Sequence, residues 1–284
     1  MESDKIVLTQ FWSSLYTSPF YKNFKQYFYE LFKDQLSKYE KIYIYSLTYQ
    51  KEEIEKHPKC LHVQFSGEPV HRNPDFFDLN IIAAHPSKNI VSHTLAGQHF
   101  YIHNLWSRLY EYRQAAEKEK FCCYIVSNAH AIERRMFFDI LSHTYKKKID
   151  SCGQFNNNVG YLPPPIDTPE YFKFLSQYKF MICFENSKVP FYLSEKLINA
   201  YLGKTIPIYW GAPNVLDYIN EKAIIYINSA DIQSYQDAIE RIIELDTDPV
   251  KYKEVFEQPL FKEGTFPPEM NVYNLREKIN RALD

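Results

Sequence analysis

One stretch of the sequence, KFMICFENSKVPFYLSEKLINAYLGKTIP over Lys179–Pro207, decides the fold class. It opens with an apolar run that ends at Phe184, and such a run predicts a buried strand. After a short loop, Ser194 stands directly before a helical run, where its hydroxyl can cap the first turn. A second apolar run begins at Thr205. This succession of strand, helix and strand indicates a unit of parallel sheet.

The same alternation continues on both sides of this stretch. The predicted strands are Lys5–Phe11, Lys41–Leu47, Leu61–Phe65, Phe77–Ala83, Phe121–Val126, Ile149–Cys152, Lys179–Phe184, Thr205–Trp210 and Ala223–Ile227. The predicted helical segments are Phe20–Lys38, Ala131–Tyr145, Thr168–Gln177, Ser194–Leu202, Asn214–Ile219, Ala230–Leu245, Pro249–Phe256 and Asn271–Leu283. Strands that alternate with helices predict an α/β protein with parallel sheets.

A polar, charged segment, Trp106–Lys120, divides the series into two parts. We interpret it as a connecting helix or linker, and we predict an N-terminal domain over residues 1–117 and a C-terminal domain over residues 118–284. Two doubly wound domains would face each other across a cleft. Because ligands of parallel sheets bind beyond the carboxyl ends of the strands, residues that directly follow strands are the first candidates for a site.

The composition excludes several function classes. A net charge of −2 gives no reason to expect nucleic-acid binding. The chain has seven glycines and neither a G-x-x-x-x-G-K-[ST] nor a G-x-G-x-x-G pattern, so any phosphate site must use side chains and helix N-termini. Five cysteines without a zinc-binding pattern suggest free thiols in a reducing compartment. With neither a signal-peptide region nor a span of about 20 apolar residues, we expect a cytoplasmic protein that is at most peripheral to a membrane.

The predicted helix start at Ser194 has the properties of an anion site. It lies near the carboxyl end of the strand before it, and its free N–H groups suit a diphosphate. Lys196, in the first turn, opposes the helix dipole unless an anion lies beside it. The spacing alone leaves a second interpretation open, namely a well-capped helix with a solvated Glu195–Lys196 pair.

The pattern FENS followed by YLSEKL, AY and TIPIYWG, from Phe184 to Gly211, resembles the signature of the α-1,3/4-fucosyltransferases. This family uses GDP-fucose to make Lewis-type glycans in bacteria and animals, and the bacterial members are most similar. Looser matches at residues 65–68 (FSGE), 127–128 (SN) and 133–136 (ERRM) extend the resemblance over most of the chain. It implies a GT-B-type fold of two Rossmann-like domains, with the acceptor in the N-terminal one and GDP-fucose in the C-terminal one.

Position by position, the resemblance also implies roles for individual residues. Glu68 matches the family's proposed general base, and Arg134 its diphosphate-binding arginine. The remaining donor-binding candidates all follow the predicted strand Lys179–Phe184. They are Asn186, Tyr192, Ser194, Glu195 and Lys196. The family inverts the anomeric carbon and needs no bound metal as cofactor, although Mn²⁺ could stimulate it by screening the diphosphate.

Elementary chemistry agrees with these roles. Inversion needs one base on the acceptor hydroxyl and cations on the departing diphosphate. Arg134 offers a bidentate fork and Lys196 a point charge. Arg135 points to another side of the same helix, so only one of the two arginines can face the donor.

Two other patterns are interpreted as structural. The Asp-x-Asp at Asp246 and Asp248 lies between a long helix and a proline, so we predict a helix-ending turn. His99 and His103 have helical spacing but lack the further ligands of a zinc site.

The sequence therefore favours an inverting α-1,3-fucosyltransferase that acts on the GlcNAc or Glc 3-hydroxyl of a lactosamine- or lactose-type acceptor. Three alternatives stay open: the same chemistry with an α-1,4 or another acceptor preference, such as a lipopolysaccharide unit; a GDP-sugar-binding module without catalysis; and an unrelated sugar-binding protein.

Overall fold

The computed structural model describes residues 2–11, 13–46, 54–69, 73–115 and 117–284. In chain order its strands are β1 Ile6–Thr9, β2 Ile42–Tyr45, β3 Leu61–Phe65, β4 Leu79–Ile82, β5 Ile90–Ser92, β6 Lys120–Tyr124, β7 Ile149–Ser151, β8 Tyr178–Phe184, β9 Ile206–Trp210 and β10 Ile225–Tyr226. Its helices are α1 Ser13–Tyr16, α2 Tyr21–Phe32, α3 Leu95–His103, α4 Trp106–Leu109, α5 Ile132–Thr144, α6 Pro169–Leu175, α7 Glu195–Leu202, α8 Ile232–Thr247, α9 Pro249–Phe256 and α10 Val272–Leu283.

The chain packs as two compact units. The first contains Met1–Trp106, Val189–Tyr192 and Phe266–Asp284, and the second contains Ser107–Lys188 and Leu193–Thr265. Each unit is built on its own parallel sheet, so the predicted α/β class is confirmed.

In the first unit the described strands pair in the sequence order β1-β2-β3-β4-β5, all parallel. The helix α2 covers this sheet with a stripe of buried side chains, Tyr27, Phe28, Leu31 and Phe32, whose spacing matches the helical period. These side chains pack in one apolar core with β-strand residues such as Ile44.

In the second unit the order of the described strands is β10-β9-β8-β6-β7. The strand β8 lies at the centre of this sheet, and Phe180–Phe184 are buried along its length. Burial on both faces explains why the sequence here is a continuous apolar run. The strand order reverses between β6 and β8, which pair with each other although β7 lies between them in the chain.

The segment Trp106–Lys120 is predicted to be a connecting helix or linker, and the boundary between the two units lies at its start. In the described part of this segment, the helix is limited to Trp106–Leu109. Further on, Arg113 is buried and donates hydrogen bonds to the carbonyl oxygens of Phe256 (2.9 Å), Thr205 (3.2 Å) and Tyr201. Its guanidinium also lies over the rings of Tyr201 and Phe256. The segment is therefore docked on the rest of the second unit by a buried arginine.

The unit boundaries also differ from the predicted ones at residues 117 and 118. The chain's last helix, α10, packs on α2 of the first unit. Arg276 forms an ion pair with Asp34 at 3.4 Å, and Gln35 donates to Asn280 at 2.8 Å. The predicted second domain, residues 118–284, thus includes a segment, Phe266–Asp284, that belongs to the first unit.

Among the described residues, no helix is both long and apolar enough to cross a bilayer. The five cysteines are buried and form no disulfide, as predicted.

Candidate functional site

The reversal of strand order between β6 and β8 marks the place where this sheet can bind a ligand. Connections leave these neighbouring strands toward opposite faces, and the gap between them is where doubly wound sheets hold their ligands. The loop after β6 leads to Arg134, and the loop after β8 begins with Glu185 and Asn186.

Arg134 joins these two loops. It lies in the first turn of α5 with only 2% of its surface exposed. Its Nη1 donates to Oδ1 of Asn186 at 2.9 Å, and its Nη2 donates to the carbonyl oxygen of Asn128. The neighbouring Arg135 is exposed. The two arginines thus point to different sides of the helix, and Arg134 and Asn186 are brought together, while the role of Arg134 toward the donor stays a prediction.

Glu185, which sequence reasoning missed as a site residue, organises the start of α7. It is fully buried at the end of β8. Its carboxylate accepts hydrogen bonds from the backbone N of Ser194 (2.8 Å), the Ser194 hydroxyl (2.7 Å) and Nζ of Lys196 (3.3 Å). Burial raises the pKa of Glu185, and the opposing effects of Lys196 and the Ser194 hydrogen bonds do not reverse that direction.

Ser194 is the N-cap of α7, as predicted, but its hydroxyl has several partners. The Ser194 oxygen accepts from the backbone N of Lys196 at 3.5 Å, a long capping bond, and from Nζ of Lys196 at 3.0 Å. Oε1 of Glu195 lies 3.8 Å from the same ammonium group. Ser194, Glu195 and Lys196 therefore form one cluster with Glu185.

The cluster explains how a lysine is tolerated in the first helical turn. The sequence suggests that Lys196 needs an anion beside it, and Glu185 supplies one from within the protein. The ammonium group is held at the helix start, where the free N–H groups also favour negative charge. The site thus combines Lys196, the α7 N-terminus and the Arg134 guanidinium on one edge of the sheet.

A glycine behind Glu185 keeps space for its carboxylate. A Cβ atom at Gly211 would lie 2.5 Å from Cγ of Glu185 and 2.6 Å from the hydroxyl oxygen of Tyr209. That hydroxyl accepts a hydrogen bond from the backbone N of Ala212 at 3.0 Å. The turn after β9 therefore supports Glu185 from behind.

Tyr192 and Glu68 lie in the first unit. Tyr192 is buried, and its contacts assign it to that unit together with the rest of Val189–Tyr192. Glu68 is exposed just after β3, and its backbone N donates to the Ser66 hydroxyl oxygen at 3.2 Å. A Cβ at Gly67 before it would lie 2.6 Å from a methyl carbon of Leu95, so a larger residue there would displace that side chain. The position of Glu68 after a strand is confirmed, while the roles of both residues stay predictions.

The Asp-x-Asp is structural, as predicted. Asp246 accepts hydrogen bonds from Lys179 (2.7 Å) and Tyr145 (2.6 Å) and pairs with Lys147 (2.6 Å). Asp248 caps α9 through the backbone N of Val250 at 2.9 Å.

Comparison with solved structures agrees with this architecture. A crystal structure of an α1,3-fucosyltransferase aligns with this chain with a TM-score of 0.76 at 21% sequence identity. The alignment covers 98% of this chain and 89% of the chain in the crystal structure. A structure of an α1,3-fucosyltransferase with GDP-fucose matches the same shares with a TM-score of 0.73. The predicted GT-B-type fold class is confirmed.

Relatives in sequence point in the same direction. An α-(1,3)-fucosyltransferase of Helicobacter pylori is 36% identical over 144 residues, which is 50% of this chain and 28% of the relative. A fucosyltransferase-family protein of Acanthamoeba polyphaga mimivirus is 27% identical over 259 residues, 85% of this chain and 40% of its own length. The chain thus spans less than half the length of these relatives. The model of glycosyltransferase family 10 (fucosyltransferase), C-terminal part, matches residues 115–259, about half of the chain, and the chain belongs to this family.

Proposed function

We propose that this chain is an inverting α-1,3-fucosyltransferase that transfers fucose from GDP-fucose to the 3-hydroxyl of GlcNAc or Glc in a lactosamine- or lactose-type acceptor. The observation that carries the proposal is the joining of Arg134 and Asn186 beside the Ser194–Lys196 helix start, at the strand reversal of the second sheet. Two cations and a helix N-terminus at one sheet edge fit a diphosphate.

The chemistry follows from these charges. The acceptor oxygen attacks C1 of fucose from the face opposite GDP, and the bond between C1 and the β-phosphate oxygen breaks. GDP leaves with both bonding electrons, so negative charge grows on its diphosphate. Arg134 and Lys196 stabilise that charge as it develops. Glu68 takes the proton from the acceptor hydroxyl as general base.

We assign the donor to the second unit and the acceptor to the first. The two protein cations already neutralise part of the diphosphate charge, so we expect turnover without a resident metal ion and at most a stimulation by Mn²⁺. The buried free cysteines fit a reducing, cytoplasmic setting.

A second candidate function differs in the linkage and the acceptor. Relatives of this chain include an α-(1,4)-fucosyltransferase of Arabidopsis thaliana, 36% identical over 80 residues, and a GDP-fucose protein O-fucosyltransferase 3 of Danio rerio, 31% identical over 115 residues. An α-1,4 linkage or another acceptor class with the same donor chemistry is therefore the second candidate.

The test is turnover of GDP-fucose with lactosamine in EDTA, followed by GDP release and by the mass and linkage of the product. Wild-type protein should form an α-1,3-linked trisaccharide. Glu68→Gln should lose at least about 100-fold in rate because it cannot take up the proton. Glu40→Gln, which changes an exposed acid of the same unit, should keep wild-type turnover. GDP binding without product from sugar or protein acceptors would identify a binding module instead.

A further inference from the structure

We propose that Glu185 is a positioning residue for the donor diphosphate: its carboxylate fixes Ser194 and the Lys196 ammonium group at the start of α7, where both would meet the phosphates. The inference rests on the proposed function, because it assigns that site a further residue. Glu185 itself need not touch the donor.

The geometry shows how Glu185 can act through its neighbours. One oxygen accepts from the Ser194 backbone N at 2.8 Å, and the other accepts from the Ser194 hydroxyl at 2.7 Å and from Lys196 Nζ at 3.3 Å. The Ser194 hydroxyl oxygen holds the same ammonium group at 3.0 Å. The long Lys196 side chain is thus fixed from two sides before any ligand binds. Ligand binding therefore does not have to offset the conformational entropy of ordering this side chain.

The charges of Glu185 and Lys196 each cost folding free energy in this position, and the fold itself does not require them. A buried carboxylate is unfavourable unless it is paired and hydrogen-bonded. A lysine in the first helical turn also opposes the helix dipole. The ion pair between Glu185 and Lys196 lowers the unfavourable free energy of both charges. A pair of apolar residues of similar volume would avoid both costs. The pair makes sense if the lysine serves an anion that comes from outside.

The groups that face Glu185 are Lys196 and Glu195 from α7, Cys183 from β8 and Tyr209 from β9. Burial raises the pKa values of Cys183 and Tyr209, so both stay neutral near neutral pH. Burial also raises the pKa of Glu185 above its ordinary value. Glu185 should therefore take up its proton at a higher pH than an ordinary glutamate, and the neutral side chain would hold Lys196 less strongly.

The experiment measures GDP affinity by calorimetry for wild type, Glu185→Gln, Lys196→Met and the double variant, from about pH 5 to about pH 8. At the upper end, Glu185→Gln should bind GDP at least about tenfold more weakly than wild type, because the amide keeps one acceptor oxygen but loses the second acceptor and the negative charge that hold the ammonium group. This ratio should shrink as the pH falls through the pKa of Glu185, because wild type then also carries a neutral side chain at this position. In the Lys196→Met background the effect of Glu185→Gln should become smaller, because only the contribution through Ser194 remains.

A matched control is Asp246→Asn, which removes another buried acid that holds lysines in the same unit, and it should leave GDP affinity unchanged. Wild type that fails to bind GDP would refute the proposed function. If wild type binds GDP but the Glu185→Gln effect is absent or is unchanged by Lys196→Met, the positioning role alone is overturned. Glu185→Asp keeps the charge, but its side chain is one methylene shorter and should hold Ser194 and Lys196 less well. Wild-type GDP affinity in that variant would therefore also overturn the positioning role.

Discussion

The guanidinium of Arg134 donates a 2.9 Å hydrogen bond to Oδ1 of Asn186, and this bond joins the loops that follow two neighbouring strands, β6 and β8. The strand order reverses between these strands, so the bond spans the place where a doubly wound sheet binds its ligand. A buried cation at this point can serve both the fold and an anionic ligand.

Arg134→Ala should weaken GDP binding by roughly 10- to 100-fold, because about 1.5–3 kcal/mol per charged hydrogen bond is lost. It should also destabilise the protein, since it leaves polar groups of Asn186 and Asn128 without the arginine. Arg135→Ala, which changes the exposed neighbour, is the matched control and should alter neither property. Calorimetric titration with GDP checks the first expectation, and thermal unfolding checks the second. Equal GDP affinities of the two variants would contradict the role of Arg134 in GDP binding.

Gly211→Ala should disturb the donor site from behind. Its new Cβ would lie 2.5 Å from Cγ of Glu185, so the carboxylate or the turn after β9 must move. We expect a loss of about 1–3 kcal/mol of unfolding free energy and weaker GDP binding.

The control is Gly160→Ala. Gly160 has a φ of 78° and open space around it, so alanine there costs backbone strain of about 1 kcal/mol without touching the site. Urea unfolding should therefore show both variants destabilised, while GDP titration should separate them. A Gly211→Ala protein with full GDP affinity would show that Glu185 needs no support from the turn.

The sequence predicts elements whose signals are local. The strand β8, the cap Ser194 and the helix α7 follow each other closely, and each has its own pattern. The strand β5 is missed. The helix α3 is missed because it is buried on most sides and shows no apolar stripe. Helix prediction from periodicity fails where both faces are covered.

The site residues follow the same rule. The roles of Arg134 and Lys196 are predicted from family resemblance and charge, and the structure shows that their surroundings are consistent with them. Glu185 is missed because its importance depends on contacts with Ser194 and Lys196 across a loop. The available signal is an acid that directly follows a buried strand, ahead of a helix with a lysine in its first turn.

Asp246→Asn should reduce stability by roughly 2–3 kcal/mol at neutral pH, because it removes the charge that Lys147 and Lys179 share. Burial alone would raise the pKa of Asp246, but hydrogen bonds from Lys147, Lys179 and Tyr145 outweigh it, and the pKa is lowered below 3.8. A carboxylate with a lowered folded-state pKa contributes stability above its unfolded pKa and loses it as the pH falls.

The stability difference between wild type and Asp246→Asn should therefore be constant near neutral pH and shrink below about pH 4. Chemical unfolding at a series of pH values measures it. Glu244→Gln, which changes a half-exposed acid on the same helix, should leave stability nearly unchanged at neutral pH, because ion pairs at the surface contribute little. A difference that grows on acidification would contradict the assignment of Asp246 as an ionised, paired group.

Arg113→Met tests whether the segment after α4 is docked by a buried charge. The methionine can fill the space between Tyr201 and Phe256, but it donates no hydrogen bond to the three carbonyl oxygens that the arginine serves. Burial lowers the pKa of Arg113 to about 10, so the guanidinium is still charged at neutral pH and its hydrogen bonds are charge-assisted. A buried carbonyl oxygen that loses its donor costs about 1–3 kcal/mol. The Tyr201 oxygen still accepts from the backbone N of Lys204. We therefore expect a loss of roughly 3 kcal/mol in unfolding free energy, mainly from the Phe256 and Thr205 oxygens. Arg241→Met, an exposed arginine of α8, should lose little by comparison, and equal stabilities of the two variants would mean that backbone packing alone holds the segment.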